Sequence, residues 1–151
     1  MRVEGDFALS VARPALFERL LDASLLARCI PGCEQLEQLD AARYRAAVAV
    51  AMAGITARFN LIVELTHSEP PARIVCVTRG EEGGRASQFS ADSEILLHPT
   101  DDDGTRVAYV SEVNLTGRLG RFALGMMKKK AQSMGDDFAR NLRLALETGH
   151  G

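Results

Sequence analysis

The sequence predicts an α+β domain in which a curved antiparallel sheet of about six to seven strands wraps round a long C-terminal helix. Apolar and polar residues alternate with a period of two at the start of the chain, and again over about eighty residues after Gly32. The turns between these segments are short, which favours antiparallel neighbours. Residues 119–146 contain no proline and repeat apolar residues at helical spacing.

The first element is a strand, because Val3, Phe7 and Leu9 alternate with polar residues. Two short helices follow within residues 12–30, where leucines recur at helical spacing and Pro14 suits a first helical turn. Six further strands are predicted near residues 35–39, 44–52, 55–66, 74–79, 85–97 and 106–115. With the last helix over 119–146, we expect one domain over residues 1–146 and a short tail over 147–151.

A cavity is expected between the sheet and the last helix, because a straight helix touches a strongly curved sheet only along a line. An apolar cavity of this kind suits a lipid-like, quinone-like or aromatic ligand. The alternative is that the same side chains fill the space and pack against each other at interior density. The candidate ligand-binding residues are Ile30, Pro31, Met52, Phe59, Leu61, Cys76, Phe89, Tyr109, Phe122, Met126 and Met127.

The motif Cys29-Ile-Pro-Gly-Cys33 raises the question of a metal or redox site. Pro31 and Gly32 should end the helix between the two cysteines, so the thiols do not share a helix face. A redox pair would have two residues between its cysteines, and the histidines are too scattered for a four-ligand zinc site. We interpret the motif as a rigid turn at the cavity rim, and we predict no metal and no cofactor beyond a bound quinone or lipid.

The charge is unevenly distributed along the chain. A formal net charge of −2 does not favour a nucleic-acid partner. The last helix is nevertheless basic, because it carries the only lysines of the chain beside two arginines. The candidate contacts with an anionic membrane surface or an acidic partner are Arg118, Arg121, Lys128, Lys129 and Lys130. A solvated helix face is the alternative, and Lys130 is expected to extend along the apolar stripe. The sequence leaves a homodimer open.

Several segments together resemble the CoxG family of carbon monoxide dehydrogenase subunits: LLARCIPGCEQLE, ARYRAAVAV, GITARFNLIVEL, PPARIVCVTRGEEGG and GRLGRF. The family is part of the START-like, helix-grip superfamily, which includes polyketide cyclases and lipid-transfer modules. The resemblance implies a helix-grip fold and a non-catalytic accessory protein. It also implies a role in attaching a molybdenum hydroxylase to the membrane and in handling its quinone acceptor. Many members continue beyond the long helix, so a chain ending at residue 151 is not expected to anchor itself.

The sequence contains no nucleophile elbow, metalloprotease motif or glycine-rich phosphate loop. Tyr109 is the one candidate for acid–base chemistry in the cavity. Two alternatives therefore stay open, a cyclase- or hydratase-like enzyme that uses the cavity and a structural assembly factor with a filled core. No signal peptide is expected, because residues 1–6 carry acidic residues and no apolar run follows them, and the longest apolar run, residues 46–55, is too short to span a membrane. We expect a cytoplasmic protein, with peripheral contact at the inner face of the membrane.

Overall fold

The computed structural model describes residues 1–122 and 124–148, apart from the side chains of Arg85, Arg121 and Thr148. Within these residues seven strands form one antiparallel sheet in the order β1-β7-β6-β5-β4-β3-β2. The strands are β1 (Arg2–Leu9), β2 (Cys33–Gln38), β3 (Arg43–Met52), β4 (Ile55–Glu69), β5 (Arg73–Glu82), β6 (Ser87–Pro99) and β7 (Thr105–Gly117). The helices are α1 (Arg13–Arg19), α2 (Ala23–Cys29) and α3 (Leu124–Arg143). The predicted α+β architecture is confirmed.

The sheet has one face toward the core and one toward solvent. On β4, Ala57 and Phe59 are buried, at 2% and 6% exposure, whereas Arg58 and Asn60 between them are exposed. This alternation follows from the pleat, which turns successive side chains to opposite faces. The sheet curves, and α3 lies across its buried, concave face beside β1 and α2.

The last helix begins later than the sequence predicts. A short 3₁₀ turn at Leu119–Arg121 is followed by Phe122 in an extended conformation (ψ 151°), and α3 starts at Leu124. Upstream, Gly117 adopts a φ of 86°, where an added Cβ would lie 2.4 Å from the Ala86 carbonyl oxygen. The chain therefore turns sharply out of β7 before it can become helical. At the other end, α3 passes into a π-helical turn over Leu144–Thr148.

The core is divided into two clusters of apolar side chains. The larger cluster joins α1, α2 and the C-terminal half of α3, and its Leu16, Leu25 and Leu142 are fully buried. The smaller cluster contains Phe59 and Leu119 and lies where the chain leaves β7. Residues 127–134 of α3 fall between the parts of the chain that enter these two clusters.

The Cys-Ile-Pro-Gly-Cys motif forms a turn from α2 into β2, as predicted. Ile30 caps α2, and Gly32 follows with a φ of 77°. The Gly32 carbonyl oxygen accepts a hydrogen bond of 2.8 Å from the Ala49 amide, which ties the turn to β3. The Asn141 side-chain amide of α3 donates to the Cys29 carbonyl oxygen at 3.0 Å. The motif thus links α2, the sheet and α3 through backbone groups.

Two glycines with the same φ allow the role of this turn to be tested. An added Cβ would lie 2.0 Å from the Ala49 carbonyl oxygen at Gly32 but would meet nothing within 4 Å at Gly54, whose φ is 78°. We expect Gly54→Ala to lower the free energy of unfolding by about 1 kcal/mol, the cost of a left-handed alanine. Gly32→Ala should cost about 3 kcal/mol, because strain and a backbone clash add. Urea denaturation measures both, and equal losses would contradict a close-packed turn.

Candidate ligand-binding cavity

A cavity of about 310 Å³ lies between the concave face of the sheet and α3. This volume is at the lower end of the range for small-molecule sites. Its wall is apolar except for Tyr109, Ser111 and Lys130. The lining residues are Met1, Val3, Val48, Val50, Met52, Phe59, Leu61, Phe89, Tyr109, Ser111, Val113, Leu115, Leu119, Met127, Lys130, Ala131 and Met134. The interior is therefore not filled at this position, contrary to the alternative of a closed core.

Secondary-structure periodicity explains how these side chains meet. On β3, Val48, Val50 and Met52 recur every second residue and share the concave face. On α3, Met127, Lys130, Ala131 and Met134 follow the spacing i, i+3, i+4 and i+7, which aligns them along one face of a helix. The sequence alone did not indicate which face of β3 points inward, because alanines occupy much of both faces.

Six of the eleven residues predicted to bind a ligand line this cavity. They are Met52, Phe59, Leu61, Phe89, Tyr109 and Met127. Phe59 and Phe89 form an edge-to-face aromatic pair with ring centroids 6.2 Å apart, so that part of the wall is aromatic.

The other five predicted residues lie elsewhere. Ile30 and Pro31 are partly buried in the turn that docks on β3 and are not part of the wall. Phe122 packs onto the smaller core cluster. The inward direction expected for Met126 is wrong, because this side chain is 44% exposed. At 3.6 residues per turn, Met126 lies about 140° round the helix from Ala131.

Cys76 is on β5, outside the cavity wall, at the register position of Ser93 on β6. Ser93 in turn shares a hydrogen bond of 2.7 Å with Ser111 on β7. These residues form a short polar row across the sheet. Burial raises the pKa of the Cys76 thiol, partly offset by a hydrogen bond with Ser93, so the thiol stays neutral at physiological pH.

Tyr109 forms a partition at one side of the cavity. Its hydroxyl lies between Gly5 of β1 and Gly135 of α3, where added Cβ atoms would approach it to 2.7 and 2.4 Å. Neither glycine lines the cavity, and both border a separate hollow of about 230 Å³ between β1 and α3. Burial, and to a lesser extent the Asp136 carboxylate, raises the pKa of the Tyr109 hydroxyl. The tyrosine is therefore neutral, and its ring separates the two spaces.

Glu82 is a buried carboxylate near the point where the chain leaves β7, and no sequence pattern predicts its burial. Glu82, at 6% exposure, accepts a hydrogen bond of 2.9 Å from the Ser87 hydroxyl, and the Leu119 amide donates to that hydroxyl at 3.0 Å. Arg118 completes the group as the ion-pair partner of Glu82. The hydrogen bond from Arg118 holds the pKa of the Glu82 carboxyl below its usual range. This cluster, which we call the Glu82 latch, fastens the segment before α3 to the β5–β6 connection.

The predicted basic contact surface is divided by the structure. Arg118 belongs to the Glu82 latch, and Lys130 is partly buried in the cavity wall. Lys128 and Lys129 are exposed. The side chain of Arg121, the fifth predicted contact, lies outside the described residues.

Within residues 1–122 and 124–148, no three side chains of histidine, cysteine, aspartate or glutamate gather as metal ligands would. In the same part of the chain, no helix combines the length and apolar character needed to cross a bilayer.

Comparisons with known proteins agree with this fold. The family model of CoxG, a subunit of carbon monoxide dehydrogenase, matches residues 5–147. A conserved protein from Geobacillus kaustophilus superposes with a TM-score of 0.90 at 24% identity, over 100% of this chain and 98% of that chain. A START superfamily protein from Mycobacterium smegmatis has a TM-score of 0.76 at 15% identity, over 97% of both chains.

The Zhui aromatase/cyclase from Streptomyces sp. R1128 has a TM-score of 0.71 at 14% identity, over 100% of this chain and 98% of that chain. At these identities the likeness shows a shared START-like fold. The comparison with curated protein sequences found no match.

The lowered pKa of Glu82 predicts an acid-dependent contribution to stability. Because the folded-state pKa lies below the ordinary value near 4.5, the contribution is present above that value and disappears as pH falls through the folded-state pKa. We expect Glu82→Gln to be less stable than wild type at pH 7 and the difference to shrink toward pH 3. Urea unfolding at several pH values measures this difference. Arg118→Gln should show the same convergence, and differences independent of pH would contradict the ion pair.

Proposed function

The chain belongs to the CoxG family of carbon monoxide dehydrogenase subunits, and we propose that it is a non-catalytic accessory protein that binds a hydrophobic ligand, a quinone or a similar lipid. The observation that carries this proposal is the cavity between the sheet and α3. A ligand that fills it removes apolar surface of both molecules from water, at about 25 cal/mol per Å². The Phe59–Phe89 pair supports a quinone, because aromatic edges and faces pack well against a flat ring.

Methionines at the cavity wall add to this support. Met52, Met127 and Met134 come from β3 and from both ends of the helical stripe. Their unbranched thioether chains adapt to ligands of different outline at low cost. A wall of this kind accepts a prenyl tail or a ring more readily than branched side chains would.

We place the protein at the cytoplasmic side of a membrane as a peripheral contact. Leu124 and Met126, at 61% and 44% exposure, lie on the first turn of α3 close to the exposed Lys128 and Lys129. Exposed apolar side chains beside lysines suit the interface of an anionic bilayer. The cavity-lining Met127 is on the same turn, so a ligand would have a short path between bilayer and cavity.

The partner proposed for this delivery is a molybdenum hydroxylase, as the family resemblance implies. In this role the protein recruits the hydroxylase to the membrane or brings it a quinone as electron acceptor. The two tasks need the same two features, a membrane-facing surface and an apolar cavity.

A cyclase-like reaction in the same cavity is the less favoured function. It would need an acid or base that reaches the ligand. The Tyr109 hydroxyl lies between Gly5 and Gly135, which do not line the cavity. The fold shared with an aromatase/cyclase carries no catalytic residue into this chain.

Neighbouring methionines allow the cavity to be tested with a matched control. We expect Met127→Trp to reduce binding of decylubiquinone by about tenfold or more, because an indole would occupy the space. Met126→Trp places the same side chain on the exposed side of α3 and should leave binding unchanged. Native mass spectrometry and equilibrium dialysis measure the occupancy. Failure of the wild-type protein to bind decylubiquinone or phospholipid would overturn the proposed function.

Membrane contact can be tested separately with vesicles. Lys128→Gln with Lys129→Gln should lower partitioning onto phosphatidylglycerol–phosphatidylcholine vesicles by about thirtyfold, at roughly 1 kcal/mol per lysine. The control is Arg45→Gln with Arg106→Gln, which removes the same net charge from exposed positions of β3 and β7. Co-sedimentation gives the bound fraction. Equal losses of vesicle binding in both double variants would show that net charge alone causes the effect. They would contradict a membrane-contact surface at the start of α3.

A further inference from the structure

The cavity wall carries positive charge and no negative charge. Lys130 carries its one charged side chain, and no acidic residue lines the wall. The amino group of Met1, another lining residue, is already paired: it donates to the Val113 carbonyl oxygen at 2.9 Å and lies 3.8 Å from the Glu112 carboxylate. Within the described part of the chain, no carboxylate forms an ion pair with Lys130, and its side chain has no hydrogen-bond acceptor. Ser111, another polar side chain of the wall, is bonded to Ser93. The Tyr109 hydroxyl lies between Gly5 and Gly135, which border the neighbouring hollow and not this cavity.

The position of Lys130 follows from the helical register. It lies one turn from Met127 and one turn from Met134, on the stripe that faces the sheet. Lys128 and Lys129 point away from this stripe and are exposed. Lys130 therefore differs from its neighbours in environment, although the three residues form one run in the sequence.

A neutral ligand that fills the cavity would displace water near the Lys130 ammonium and leave the charge without compensation, which is unfavourable. A ligand with a negatively charged head would replace that water with a charge-assisted hydrogen bond. One ammonium matches one carboxylate. A phosphate monoester, which carries about −1.5 to −2 charges at neutral pH, would call for further donors, whereas the Ser111 hydroxyl is already bonded to Ser93 and the Met1 amino group to Val113.

We propose that the cavity selects amphiphiles with a carboxylate head, which binds Lys130 while the apolar tail lies against the aromatic and aliphatic wall. This inference rests on the proposed function, because it concerns the ligand of the same cavity, and among the lipids which that function allows it favours a carboxylate amphiphile over a neutral quinone. It makes Lys130 a specificity-determining residue and separates its role from that of Lys128 and Lys129.

The experiment compares dodecanoate with methyl dodecanoate, which has nearly the same shape without the charge. Both compete at pH 7.5 with a neutral fluorescent probe of apolar sites, and the absence of tryptophan from the chain keeps the protein background low. We expect wild type to bind dodecanoate about tenfold more tightly than the ester, since a hydrogen bond to a charged group is worth at least this much. Lys130→Met should remove this preference, and Lys128→Met should preserve it.

The outcomes separate the two proposals. Retained ester binding by Lys130→Met shows that the variant is folded and its cavity is intact, so lost selectivity then belongs to the ammonium. Equal wild-type affinity for the two compounds, or unchanged selectivity in Lys130→Met, overturns the carboxylate proposal and leaves hydrophobic binding standing. If neither compound nor probe binds wild type, the proposed function fails together with this inference.

Discussion

The C-terminal segment is held to the rest of the molecule at two separated places, and the cavity is the space between them. Beyond the cavity, Phe138 and Leu142 of α3 enter the larger core cluster, while before it the Glu82 latch fixes residues 118 and 119 to the β5–β6 connection. The segment between these attachments must bridge a sheet that curves away from it. The stretch of α3 over the cavity therefore cannot close onto the sheet without releasing one attachment.

Tyr109 adds a third constraint, because it sets how closely α3 can approach β1. Its hydroxyl fits between Gly5 and Gly135 with no room for a side chain at either position. A larger residue at either glycine would push the helix away from the strand or turn the ring into the cavity. The size of the cavity thus depends on two residues without side chains, which explains why it could not be derived from the apolar pattern alone.

Much of the fold could be predicted because its signals are local. Strand alternation, short turns and a long amphipathic stretch are readable over ten to thirty residues, and the Cys29–Cys33 motif ends a helix for reasons contained in Pro31 and Gly32. The start of α3 was harder, since the extended Phe122 reflects the sharp exit from β7 at Gly117. Sequence patterns do not predict the Glu82 latch, because Glu82 and Arg118 are distant in sequence and a charged residue at a strand end usually points to solvent.

The cavity residues also differ in how far local sequence signals predict them. Those on β4, such as Phe59 and Leu61, follow from strict alternation, whereas the choice between Met126 and Met127 requires the helical phase. The helical phase also places Lys130 in the cavity wall and Lys128 in solvent, a difference that composition does not reveal. A single stretch of α3 thus presents apolar side chains and Lys130 to the cavity wall, and lysines with exposed apolar residues to the outside. Under the proposed function, these two faces would couple ligand exchange to membrane contact, because the same turns of helix cover the cavity and meet the bilayer.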